Sequence, residues 1–170
     1  MMDIRPLTPA DVDQYLAIWQ RALTDAPTAF GASANDPGMF DRDPALQRIA
    51  QSLPYNPLFG VFVDGQQVAL SSLFYAGHRE KIRHRLQIHQ VFVNAEMRGQ
   101  GIARAMLNEL IAFAKTIPDA EEIYLAVTVG NESARRLYVS AGFETAYFDR
   151  RYLKIDGVYY DLEWMWLSLV

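Results

Sequence analysis

Val91-Phe92-Val93-Asn94-Ala95-Glu96-Met97-Arg98-Gly99-Gln100-Gly101-Ile102-Ala103 is the stretch on which the fold turns. Its first three residues close an apolar run over 86–93 that reads as a strand. A short turn and two glycines follow. A helical pattern then spans 101–115, with Ile102, Met106, Leu110 and Phe113 on one side. The β-branched run 123–129 comes next and reads as a second strand. Strand, helix and strand in this order predict two parallel strands joined by a right-handed crossover. The junction before the helix presents free backbone N–H groups and the positive helix end to an anion. Glycine at 99 and 101 lets a phosphate approach the backbone, and Arg98 adds a fixed positive charge. Two glycines alone would also suit an ordinary tight turn. A dinucleotide loop would want a third glycine further on, and a kinase-type phosphate loop would end in Gly-Lys-Ser/Thr; neither is present.

Upstream, Ile4-Arg5 reads as an opening strand. Thr8 can cap a first helix, Pro9 suits its first position, and Asp11 completes a capping-box spacing. Val12, Tyr15, Leu16, Trp19 and Leu23 form its apolar stripe. Residues 24–42 read as an irregular connection. A second helix starts at Asp43-Pro44, with Leu46, Ile49, Ala50 and Leu53 expected to face the core. Strands over 59–63 and 67–75 flank the turn Asp64-Gly65-Gln66. Downstream, Asn131 can cap a short helix carrying Ala134, Leu137, Tyr138 and Ala141, which Gly142 would end. Segments 143–155 and 158–169 make a last hairpin around Asp156-Gly157. The expected fold is α+β, a single domain over 1–170 with a mixed sheet and helices packed on its faces.

The composition narrows the function. Half-apolar and one-fifth charged, the 170 residues suit one soluble domain with a continuous core. With no cysteine, disulfides, thiolate metal sites and cysteine nucleophiles are excluded. A net charge of −4 argues against a nucleic-acid binder. The basic run from His78 to Arg85 reads as a solvated loop and strand end rather than a binding patch. No apolar run approaches the roughly 18 residues of a membrane span. The first residues lack a signal-like apolar stretch, so the expected compartment is the cytoplasm.

Arg98-x-x-Gly101-x-Ala103 resembles the acyl-CoA loop of the GNAT superfamily of N-acetyltransferases, whose pattern is Gln/Arg-x-x-Gly-x-Gly/Ala. About thirty residues on, Asn131-Glu132-Ser133-Ala134-Arg135-Arg136-Leu137-Tyr138, then Gly142-Phe143, resembles that family's second signature. The element order agrees as well, so the resemblance covers nearly the whole chain. It implies a mostly antiparallel sheet of about seven strands with four helices. It also implies that strand 86–93 splays from strand 123–129 to admit the pantetheine arm of acetyl-CoA, the co-substrate, with no metal.

Contacts with that donor would run along Val91, Phe92 and Val93, the backbone of Val91 and Val93 pairing with the arm. The pyrophosphate would sit on Arg98, Gly99, Gln100, Gly101, Ile102 and Ala103, and Asn131, Ala134, Arg135 and Tyr138 would form the other wall. Tyr138 matches the family's usual general acid; its spacing alone would equally fit a core tyrosine. His89 is the candidate base, because strand alternation places it on the face of Val91 and Val93. Some relatives carry a glutamate where this chain has Gln87. The acceptor pocket would form from 24–42, with Phe30 and Phe40, and from 148–154. Trp164 and Trp166 are read as core packing or a homodimer contact rather than ligand stacking. The expected reaction is acetylation of a primary amine, on a small molecule or amino-acid derivative, by direct attack in a ternary complex. The alternative is a non-catalytic acyl-CoA sensor on the same fold.

Overall fold

In a computed structural model that describes residues 1–52 and 54–170, the two parallel strands of the central unit sit at the middle of one sheet. Among the described residues the strands are β1 (Met2–Pro6), β2 (Leu58–Val63), β3 (Gln66–Tyr75), β4 (Arg85–Val93), β5 (Glu122–Thr128), β6 (Glu144–Ile155) and β7 (Val158–Ser168). The helices are α1 (Val12–Asp25), α2 (Arg42–Ala50), α3 (Ile102–Ala114) and α4 (Glu132–Ser140). The spatial order is β1-β2-β3-β4-β5-β7-β6. Only β4 and β5 pair in parallel; every other neighbouring pair is antiparallel. The expected mixed, mostly antiparallel sheet of seven strands with four helices is therefore the fold.

Each face of the sheet buries its own core. On one, Met106, Leu107 and Leu110 of α3 pack with Leu73, Leu86, Ile123 and Leu125, and α4 adds Tyr138. On the other, Val12, Ile18 and Trp19 of α1 and Ile49 of α2 pack with Leu58, Phe62, Leu70 and Phe92. The α1 stripe is wider than expected, taking in Ile18 and Ala22 while Leu16 is only partly covered. α2 starts one residue earlier than expected, at Arg42, and turns Ala45 and Ile49 inward, leaving Ala50 in solvent. Ala45 and Ile49 stand four residues apart on one helical face, and Ala50 falls off it. Leu53 lies outside the described residues.

The hairpins show their local chemistry plainly. Asp64-Gly65 has φ of 49° and 81°, and Asp156-Gly157 has 48° and 82°. Both are two-residue turns with two left-handed positions, the geometry that matches the twist of paired strands. Gln66 therefore belongs to β3 and not to the turn. The basic run before β4 is solvated and offset by acids: Arg83 pairs with Asp119 at 3.3 Å and His84 with Glu122 at 3.5 Å. Among the described residues no helix is long and apolar enough to cross a membrane.

Candidate active site

β4 and β5 hold together only at their starts. Arg85, Leu86 and Gln87 pair with Glu122, Ile123 and Tyr124, and no further pairs follow. From Ile88 and Leu125 onward the strands part, leaving strand-edge backbone groups that want partners. Part of the cause is a bulge in β4. Between Leu70 and Ser72 of β3, the partner strand advances from Phe92 to His89, one residue more than alternation allows. Gln90 absorbs the extra residue at φ 58°, and Ser71 Oγ donates to the His89 carbonyl at 3.0 Å.

The bulge overturns one expectation. His89 does not share a face with Val91 and Val93. Leu86, Ile88, Val91 and Val93 pack on the α3 side, whereas His89 sits with Gln87, its ring nitrogen 3.1 Å from Gln87 Oε1. Gln90 also turns to the α1 side, donating to Tyr15 Oη at 3.5 Å. Period-two counting fails at a bulge because the inserted residue inverts every later side chain.

At the open end of the gap, between the start of α3, α4 and the end of α1 with Asp25 and Ala26, lies a cavity of about 440 Å³. Val91, Phe92 and Val93 form one wall, Arg98, Gly101 and Ala103 its mouth, and Asn131, Ala134 and Tyr138 the opposite wall. Gly99 and Gly101 have φ of 74° and 78°, and a Cβ on either would meet nothing within 4 Å. The glycines are thus needed for backbone conformation, and the space over them is free for a ligand. No protein acceptor takes the N–H groups of residues 99–104 among the described residues. Arg98 Nε donates to the Val93 carbonyl at 3.1 Å, fixing its charge beside that mouth. Asn131 accepts from the Ala134 N–H at 3.3 Å and so caps α4 as its position suggested.

Four expected donor contacts do not line this cavity through their side chains. Gly99 and Gln100 lie just outside it, Ile102 is buried in the core, and Arg135 is engaged elsewhere. Arg135 Nε donates to buried Glu163 at 2.8 Å, and Thr145 shares that carboxylate at 2.5 Å. Arg104 also lines the cavity, its guanidinium held by Ser140, as do Ser133 and Leu137. Their helical positions beside the two motifs were the available signal.

A second cavity, of about 390 Å³, opens on the α1 side and reaches through the gap to Tyr138. Trp19, Phe30, His89, Tyr152, Leu153 and Trp164 line it. Phe30 stands between the two cavities, edge-on to Trp19 at 5.2 Å and to Phe92 at 6.5 Å. Its loop is anchored where Thr128 Oγ1 donates to the Thr28 carbonyl at 2.5 Å. Phe40, in contrast, packs against the α1–α2 core and lines neither cavity. Trp164 packs by stacking on Tyr147 and in addition walls this cavity, a position the sequence did not suggest.

Tyr138, Val91, Phe30, Asn131 and Ala134 belong to both cavities. The Tyr138 ring packs edge-on against Phe143, and its hydroxyl has no hydrogen bond among the described residues. Burial pushes its phenol well above the ordinary value of 10, so it stays protonated. His89 is lowered from 6.5, first by desolvation and then by the positive charge of Arg48. Water reaches the imidazole, yet protein surrounds most of it because it lies in a cavity wall. Among the described residues no cluster of three metal-ligating side chains occurs.

A sheet parted between its two parallel strands, beside a glycine-lined helix mouth, defines an N-acetyltransferase fold. The chain belongs to the acetyltransferase (GNAT) family, whose model matches residues 16–143. It is 30% identical over 104 residues to the N-alpha-acetyltransferase RimI of Mycobacterium tuberculosis, covering 61% of this chain and 62% of that protein. Against the spermidine N(1)-acetyltransferase of Vibrio cholerae it is 33% identical over 85 residues, 49% of each. An uncharacterized protein of Mycobacterium leprae is 32% identical over 154 residues, 91% of this chain and 38% of that protein. The chain thus spans between 38% and 62% of the length of these relatives. Among solved structures, the yncA protein of Salmonella typhimurium with acetyl-CoA superposes with a TM-score of 0.84 at 23% identity, covering 100% of this chain and 95% of that one. A ribosomal-protein-alanine N-acetyltransferase from Brucella melitensis gives 0.81 at 26% identity, covering 98% and 99%.

Proposed function

We propose that this protein transfers an acetyl group from acetyl-CoA to the primary amine of a small molecule or amino-acid derivative, by direct attack with both substrates bound. The observation that carries the reading is the meeting of two cavities at Tyr138 and Val91 through a gap between parallel strands. One cavity has a helix mouth with free N–H groups and Arg98, the fit for a diphosphate. The unpaired β4 edge supplies strand-like partners for an amide-bearing arm. The residues around that mouth therefore fit acetyl-CoA, and the names of the relatives point to amine acceptors. We keep the cytoplasm, a compartment that supplies acetyl-CoA, as the proposed location.

When bound, acetyl-CoA supplies an activated thioester carbonyl. The chain's residues position that carbonyl and handle the protons. A backbone N–H of the β4 edge, fixed by the sheet, stabilises the oxygen on which negative charge develops, an effect of about 3 kcal/mol. The amine enters from the α1 side; its nitrogen bonds to the carbonyl carbon as the carbon–sulfur bond breaks. Tyr138, protonated and facing both cavities, gives its proton to the departing thiolate. His89, neutral near pH 7 and on the amine's side, takes the proton the amine loses, directly or through water.

Calorimetry with CoA, followed by thiol release from acetyl-CoA across an amine panel, tests this. Uptake of CoA and amine-dependent thiol release are expected. Gly101→Val, which forces a β-branched residue to φ 78°, is expected to weaken CoA at least about tenfold while the sheet core remains. CoA uptake with no amine-dependent release would replace the enzyme with a sensor. No uptake at all would remove the donor site.

A further inference from the structure

The α1-side cavity has a chemical character of its own. None of the described residues lining it is Asp, Glu, Lys or Arg. Apart from the Tyr152 hydroxyl and the indole N–H groups of Trp19 and Trp164, its polar side chains are His89, Gln90, Thr128, Asn131 and Tyr138, and several are already engaged. Thr128 donates to Thr28, Asn131 caps α4 and Gln90 reaches Tyr15. The remaining surface is aromatic and aliphatic: Trp19, Phe30, Tyr152, Leu153, Leu162 and Trp164.

Of the carboxylates beside this cavity, Asp25 in the lining of the adjoining cavity pairs with Arg21 at 3.2 Å, and two on β7 are engaged elsewhere. Asp161 accepts from the Arg151 N–H at 2.7 Å, and Glu163 faces the opposite side of the sheet with Arg135. Arg48, the charge felt at His89, is positive, and its Nη1 donates to the Asn56 carbonyl at 3.1 Å.

We infer that the acceptor is a monoamine carrying an apolar or aromatic side group, and that this cavity discriminates against diamines and polyamines. The inference rests on the proposed acetyl transfer and names its substrate class. The physical reason is desolvation. A second ammonium entering the cavity would give up water with no carboxylate to receive it and with Arg48 repelling it. An aromatic ring would instead exchange water for four aromatic walls. At about 390 Å³, the cavity has the size of a small-molecule site.

Affinity is read by calorimetry for 2-phenylethylamine and for 1,5-diaminopentane, each with and without CoA, so the result does not depend on turnover. Phenylethylamine is expected to bind at least about tenfold more tightly than the diamine. Trp164→Ala should weaken phenylethylamine while leaving CoA affinity intact, because Trp164 lines only the α1-side cavity. Tyr152 is 52% exposed, so Tyr152→Glu installs a carboxylate on the wall without touching the core. It should move the diamine-to-monoamine affinity ratio about threefold toward the diamine, the scale of a half-exposed ion pair. A wild-type preference for the diamine, an unmoved ratio in Tyr152→Glu, or no amine binding beside intact CoA binding would each overturn the assignment. Amine binding with the expected preference but no CoA uptake would uphold the assignment and remove the donor site instead.

Discussion

Tyr138 is 5% exposed, rests on Phe143 and donates its hydroxyl to no protein group among the described residues. A purely structural tyrosine buried to this degree normally finds a partner for its O–H. Here the hydroxyl opens onto the junction of two cavities. Tyr138→Phe therefore removes an oxygen that stabilises nothing in the resting protein. Its expected effect is a fall in kcat of about a hundredfold, with CoA affinity and melting temperature nearly unchanged. A variant with full turnover would remove Tyr138 from the chemistry. His89 has the opposite requirement, since it must be neutral to accept a proton. Desolvation and Arg48 lower its pKa below 6.5, so turnover should be lost as pH falls through a value under 6.5. His89→Ala should abolish that acid limb of the pH–rate profile; an identical limb in the variant would place the base elsewhere.

The corner between β1 and α1 shows what one element junction contributes to stability. Arg5 clasps Asp11 with two bonds, at 2.8 and 2.9 Å, while the Thr8 N–H and hydroxyl both donate to the same carboxylate. The Arg5 guanidinium also stacks over Phe62, 4.1 Å from the ring centre. The Arg5 bonds, with help from Thr8 and against desolvation, hold the Asp11 carboxyl down at about 2. A folded-state value below the unfolded one near 3.8 stabilises the protein above pH 4 and loses that contribution as pH falls through 2. The shift corresponds to about 1–2 kcal/mol after allowing for the third of Arg5 that water reaches. Asp11→Asn should be less stable than wild type by that amount in urea at pH 7, and the gap should close near pH 2. A gap independent of pH would mean packing, not charge, sets it. Thr8 and Asp11 were legible as a capping pair because a cap is local in sequence. Arg5 as their partner was not, and neither was the β4 bulge. The Gln90 insertion leaves the apolar run over 86–93 unbroken to the eye while inverting everything after it. The glycine loop and the Asn131–Tyr138 helix were readable for the reason Thr8 was. Phe30 was legible as an acceptor-pocket residue only through the family resemblance, and the loop tie that seats it, a hundred residues away, was not; nor was the wall that Trp164 adds from β7.

Across the whole molecule the sheet is two blocks, β1–β4 and β5–β7–β6, joined by three residue pairs at one end of a parallel ladder. Other ties cross from one block to the other, including Thr128 to Thr28 and the Tyr75 hydroxyl to the Pro118 carbonyl at 3.2 Å. Along the gap itself, however, neither strand edge is satisfied by the other. Opening there should need less free energy than unfolding either block, and amide exchange should report it as a local event. A donor lying in the gap as an added strand would bond the β4 edge and close that local route. Saturating CoA is therefore expected to slow exchange at residues 89–93 and at 99–104 by more than about tenfold. Protection in β1 and β2 should change only by the shared linkage stabilisation, about 3 kcal/mol at a hundredfold excess over Kd and confined to amides that exchange through global unfolding. The two contributions separate because the first is positional and the second is uniform. Slowing confined to 99–104 would mean that the diphosphate mouth is used while the gap stays empty. Equal slowing everywhere would mean that the parted strands are not where the donor binds, and the meeting of the two cavities at Tyr138 would lose its chemical meaning.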